Sequence, residues 1–105
     1  MSSYFIATGA RAGFTSGKFA KVDLARGDHL LAGLNCFESG QAQAVHAHTG
    51  ADKFYLVLEG KARMQVGEDV AEAGPGTLVW APAGVPHGVL EATERCVMLV
   101  GMSVG

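Results

Sequence analysis

The chain has 105 residues, 49% of them hydrophobic and 17% charged, with a formal net charge of −2 at neutral pH. That suits one domain, residues 1–105, built on one core, and it is too apolar for a disordered chain. No basic run points to nucleic acid, no acidic tail points to a basic partner, and no apolar run approaches the roughly 20 residues that span a bilayer.

The start, MSSYFIATGARAG, lacks the charged head and long apolar centre of a secretion signal, so a cytoplasmic setting is expected. The two cysteines, Cys36 and Cys96, lie far apart in apolar runs. They read as reduced core residues rather than as a disulfide or a catalytic thiol.

In chain order, residues 3–7 are expected as a short edge strand and residues 8–17 as a loop, so 1–17 form an N-terminal arm. Residues 18–24 alternate polar and apolar and predict a strand. Residues 29–37 predict the next, after the turn at 26–28. Residues 45–48 and 53–58 follow, and Glu59-Gly60 is expected to open a hairpin into 62–66. Strands are then expected at 70–73, 77–81, 85–90 and 95–102. The 15 glycines recur between these short runs. Few segments hold a helical period, and many short strands between turns predict an all-β sandwich or barrel.

Residues 40–60, GQAQAVHAHTGADKFYLVLEG, place His46 and His48 two apart in an alternating stretch. Residues two apart on a strand face the same way, so the two imidazoles should project together. Residues 76–91, GTLVWAPAGVPHGVLE, add His87 just after a Pro-x-Gly turn. Strand 53–58 would carry Lys53, Tyr55 and Val57 on one face and Phe54, Leu56 and Leu58 on the other. Both faces are largely apolar, so both should be covered. Val79 and Trp80, adjacent and of opposite parity, give strand 77–81 the same expectation.

These two stretches resemble the motifs of the cupins, small double-stranded β-helix (jelly-roll) barrels. The first cupin motif is G-x5-H-x-H-x3,4-E-x6-G. This chain has Gly40, five residues, His46-Ala47-His48, four residues, Lys53, six residues and Gly60. The second is G-x5-P-x-G-x2-H-x3-N. This chain has Gly76, five residues, Pro82-Ala83-Gly84, two residues, His87, three residues and Glu91. So many fixed spacings together are far more specific than an isolated His-x-His. Lys53 stands where the family's metal-binding glutamate stands, and Glu91 stands where asparagine is usual. Asp52, one residue earlier, is the alternative acidic ligand. On a strand it would face away from Lys53; in a turn it could reach in.

The resemblance implies one divalent transition metal held by His46, His48 and His87, with the remaining positions open to water or substrate. Three neutral imidazoles suit Fe, Zn, Ni, Mn, Co or Cu. The competing expectation is a barrel whose histidines hold no metal. His29 lies outside both motifs and reads as an exposed residue after a turn.

Lys53 has two readings. Its ammonium could hold an anionic ligand at the metal edge, or extend to the barrel mouth and pair with Asp52 or Glu91. Lys53 and Tyr55 are the candidate catalytic residues, as groups that position a substrate. Tyr55, Met64, Trp80 and Phe37 are candidate pocket walls, with core packing as the simpler role for each.

A three-histidine site resembles those of thiol dioxygenases and of diketone- or flavonol-cleaving cupins. That implies a metal-dependent enzyme acting on a small anionic or oxygen-rich molecule. The alternative is a non-catalytic module that binds or senses a small molecule; no helix pair suited to DNA accompanies it. A storage or structural role fits poorly with so short a chain. The doubly apolar strands need a cover, either the N-terminal segment 4–7 folded over the outer sheet or a second subunit. The second is expected, as a homodimer with the metal pockets separate and the N-terminal strand exchanged across a twofold axis.

Overall fold

The glycine-punctuated apolar runs become strands in the computed structural model, which describes residues 4–105. In chain order they are β1 (Ala20–Arg26), β2 (Leu30–Phe37), β3 (Gln43–His46), β4 (Lys53–Glu59), β5 (Ala62–Val66), β6 (Asp69–Ala73), β7 (Leu78–Ala81), β8 (His87–Ala92) and β9 (Cys96–Ser103). They form two antiparallel sheets. One runs β1-β2-β9-β4-β7 and the other β3-β8-β5-β6. The fold is all-β, a double-stranded β-helix, as expected from the sequence. No helix among the described residues is long and apolar enough to cross a membrane.

Alternation decides what each strand buries. On β4, Lys53, Tyr55 and Val57 are buried, and Phe54, Leu56 and Leu58 are half-buried on the outside. Tyr55 and Val57 meet Phe37, Ala62, Met64, Ala73, Val89, Ala92, Cys96, Met98 and Val100 in one core between the sheets. Phe19 stacks on Phe37 with ring centroids 4.9 Å apart. A fully buried side chain of this size contributes roughly 1.5–3 kcal/mol by leaving water.

A second cluster lies on the outer face of the five-stranded sheet. Leu34, Cys36 and Val97 are buried there beneath Ala12 and Phe14 of the N-terminal arm. Arg95 lies over the Phe14 ring at 3.6 Å and pairs with Glu38 at 3.0 Å, which fastens the arm. Both cysteines are free and buried. Burial first, then Cys36 and Glu94, pushes the Cys96 thiol up to about 11, as befits an inert core thiol.

Three sequence expectations change. Residues 4–7 form no strand, and residue 3 lies outside the described residues; the loop after them contains a one-turn helix, α1 (Thr8–Arg11). Glu59-Gly60 does not open a hairpin. β4 already has β9 and β7 on its two edges, so the chain crosses to the other sheet. Gly60 makes that crossing at φ 75°, so close to the Arg95 carbonyl that no side chain would fit. Trp80 is 54% exposed on the outer face of edge strand β7, so it is no core residue, and the two pockets it lines are open surface ones away from the histidines. Its neighbours Val79 and Ala81 turn inward instead, Val79 packed against the core and Ala81 fully buried.

Candidate metal centre

Three local devices bring the histidines together. The first is a bulge in β3. Gln43 pairs with Val89 and His46 pairs with His87, so three steps on β3 match two on β8. Gly88, between those β8 residues, permits the bulge. A Cβ there would lie 2.8 Å from the Gln43 carbonyl oxygen and 2.9 Å from Val45 Cα. The second is the turn at residues 82–85, closed by the Val85 N–H donating to the Pro82 carbonyl. Gly84 supplies its φ of 80°.

The third device clamps that turn on both sides. The Gly84 N–H donates to the His48 carbonyl at 2.9 Å, and the Ala83 N–H donates to Asp52 Oδ1 at 2.9 Å. His48 therefore lies beyond the end of β3, held by the turn rather than by strand alternation. The sequence expectation that His46 and His48 share a strand gave the right neighbours by an incomplete route.

The candidate nitrogens of His46, His48 and His87 all lie within 4.8 Å of one another. The ring centroids are 4.5 Å apart for His46–His87, 4.8 Å for His46–His48 and 5.7 Å for His48–His87. His46 Nδ1 lies 2.8 Å from the Ala44 carbonyl, and His87 Nδ1 lies 2.9 Å from the Val85 carbonyl. A carbonyl only accepts, so both rings carry a proton on Nδ1, which in a neutral ring leaves the lone pair on Nε2. Metal-binding imidazoles are oriented in this way.

His87 is 1% exposed, and its Nε2 is buried without a hydrogen-bond partner. A buried polar atom left unpaired costs roughly 1–3 kcal/mol. A cation on that lone pair, shared with its two neighbours, accounts for the orphan. The residues present therefore fit a metal. Burial, then the neighbouring His46 and Lys53, holds His48 below the ordinary histidine value. His87 is lowered chiefly by burial, against a raising effect of the Val85 carbonyl. Neutral rings are the form that binds metal.

Lys53 lies on the inner face, 6% exposed, with Nζ 4.7 Å from the centre of the Tyr55 ring. Burial and the nearby Lys21 lower its pKa to about 8. Its pairing with Asp52 or Glu91 does not form. Asp52 is exposed and spends its carboxylate on the Ala83 amide, and its main chain binds Ser103. Asp52 thus does not join the three histidines, and no carboxylate does among the described residues. Glu91 is exposed, beside Arg63 on the neighbouring strand.

Tyr55 is fully buried, and its hydroxyl donates to Gln43 Oε1 at 2.8 Å. Burial raises its pKa well above the ordinary value. Met64 and Phe37 are core residues, and His29 is exposed. Sequence reasoning missed Gln43 and Asn35, both buried and both facing the interior. Their only signal was a polar amide within an otherwise apolar run.

The cupin domain family matches residues 33–102 of the chain. A Thermus thermophilus protein of known structure is 36% identical, with 94% of this chain and 95% of that chain covered and a TM-score of 0.89. An RmlC-like cupin from Desulfovibrio desulfuricans is 26% identical over 88% of each chain, with a TM-score of 0.79. A DMSP lyase from Ruegeria pomeroyi is 27% identical at a TM-score of 0.71, over 84% of this chain and 47% of that one. An uncharacterised protein of Streptomyces coelicolor is 29% identical over 80% of this chain and 79% of its own length. With the family match spanning both histidine motifs, this chain belongs to the cupins.

Proposed function

We propose that this chain is a metal-dependent enzyme acting on a small anionic molecule, with His46, His48 and His87 holding one divalent transition metal. The observation that carries the reading is His87 Nε2, buried and without a partner beside two further imidazoles. A metal-free binding module would leave that atom unexplained. Similarity to a lyase adds support from a different direction.

A bound divalent metal would supply a Lewis acid for a substrate oxygen, or a redox centre where the ion is iron, manganese or copper. The chain's own residues do the rest. The Ala44 and Val85 carbonyls keep two imidazoles in the metal-binding tautomer. Lys53 offers a buried ammonium that holds an anionic group. Tyr55 positions that ammonium with its ring face while Gln43 locks its hydroxyl, so Tyr55 acts as a wall rather than as a proton donor.

Titration with cobalt(II) tests the site through its visible spectrum. One equivalent should bind, and added azide should shift the bands, because a three-histidine set leaves positions open. No uptake would overturn the metal site. A spectrum blind to azide would overturn the enzyme.

We also propose a homodimer paired through the uncovered part of the outer sheet. Leu30, Leu78 and Trp80 are exposed there, and Phe54 is half-buried beside them. The arm covers only the Leu34–Cys36–Val97 part of that face. Light scattering at low micromolar concentration should give twice the 10.9 kDa chain mass; a mass near 10.9 kDa would contradict the pairing.

A further inference from the structure

Beside His48, a cavity of about 200 Å³ opens between β1, β2, β4 and β9. Its lining includes His48, Lys53, Asn35, Lys21, Asp23 and Gly33. Strand alternation explains why it exists. Leu31, Gly33 and Asn35 are successive inward positions on β2, and Gly33 has no side chain to fill the space between its neighbours. The β1 bulge enforces that glycine, since a Cβ at residue 33 would lie 2.9 Å from the Val22 carbonyl oxygen.

The polar groups of this lining are unbalanced. Asn35 is 4% exposed, yet its Nδ2 has no hydrogen-bond partner. Lys53 is nearly as buried and forms no ion pair among the described residues. Lys21 stands directly across from Asn35 on β1 and adds a second positive charge at the mouth. The carboxylate of the lining, Asp23, is exposed and pairs with neither lysine. A buried amide donor without an acceptor and an inward ammonium without an ion-pair partner therefore line one cavity. An anion would satisfy both at once.

We infer that this cavity is a carboxylate subsite, in which Asn35 Nδ2 and Lys53 Nζ hold the carboxylate of a small organic acid whose other end faces the histidines. A carboxylate has two oxygens, one for each donor. The volume is that of roughly six or seven waters, which suits a short-chain acid. The inference names the substrate class of the site proposed above and rests on that reading. The donors, however, belong to the barrel and not to the metal.

Nuclear magnetic resonance of chelator-treated, metal-free protein separates the two ideas. Succinate is the probe, and the Asn35 side-chain amide signal is the readout. That signal should shift and saturate, with a Kd of about the millimolar range. Asn35→Leu should weaken succinate binding about tenfold, read from the signals of Gly33 and Lys53, and Lys53→Met should weaken it about tenfold on its own. Dispersed spectra of both variants confirm that the barrel is folded. Succinamide, neutral and of similar shape, should not bind.

Unchanged succinate affinity in both variants would overturn the subsite. So would succinamide binding as tightly as succinate, or inorganic phosphate binding more tightly than either. Succinate binding in a protein that refuses cobalt would uphold the subsite and sink the metal reading. Cobalt uptake without succinate binding, in either the free or the loaded protein, would do the reverse.

Discussion

The barrel interior has two halves built from the same strands. Toward one end, Phe37, Val57, Ala62, Ala73, Ala92, Cys96 and Met98 form a wholly apolar packing. Toward the other, His87, Lys53, Asn35 and Gln43 are just as buried, and two of them carry an orphaned nitrogen. β4 passes from Lys53 to Val57, β8 from His87 to Val89 and Ala92, and β2 from Asn35 to Phe37. Position along a strand, rather than which strand, decides whether a residue joins the apolar packing or the polar cluster. The apolar half carries the stability that lets the polar half keep unpaired groups.

The sharpest way to break this division is to injure the apolar half. Phe37→Ala removes a fully buried ring stacked on Phe19 and should cost about 3–5 kcal/mol. Urea denaturation measures it. Binding of cobalt by the folded fraction should be unchanged, because Phe37 is not part of the histidine cluster.

The opposite effect is expected from the polar half. At neutral pH Lys53 is charged in both the folded and unfolded chain, and its folded value of about 8 lies below the ordinary 10.5. Its burial therefore opposes folding until pH rises from about 8 through 10.5. Lys53→Met should stabilise the metal-free protein at neutral pH by about 1–3 kcal/mol. Destabilisation instead would show that the ammonium is satisfied within the chain, and the contrast between the halves would fail.

A smaller effect concerns acid. His48 and His87 sit below the ordinary value of 6.5 chiefly through burial. As pH falls, the unfolded chain takes up those protons first. The metal-free barrel should lose stability as pH drops below about 6.5 and on through the lower folded values. A bound metal steepens that dependence, because protons compete for the same nitrogens. Thermal melts across this range, with and without cobalt, read both slopes.

Much of this was legible in the residues. The motif spacings named the barrel and singled out His46, His48 and His87, and alternation turned Lys53 and Tyr55 inward. What escaped depended on contacts between distant segments. The bulge opposite Gly88 lets Gln43 and His46, three apart, both serve the interior, which strict alternation forbids. The crossing at Gly60 follows from β4 having both edges occupied, a property of sheet order and not of local sequence. Asp52 was weighed as a ligand, but its partner is the amide of Ala83, 31 positions away. Trp80 read as buried because its neighbours are apolar, yet it sits on an edge strand whose outer face is open in the single chain.

The most direct test of the central claim is the metal content of untagged protein purified without chelator, beside the His48→Ala variant. Inductively coupled plasma mass spectrometry should find about one equivalent of a single transition metal in the native chain. The folded variant should retain almost none, a loss of affinity of about 100-fold or more. A native chain that holds no metal even after incubation with iron, zinc, nickel, manganese, cobalt and copper would contradict the account, and so would a variant with undiminished content.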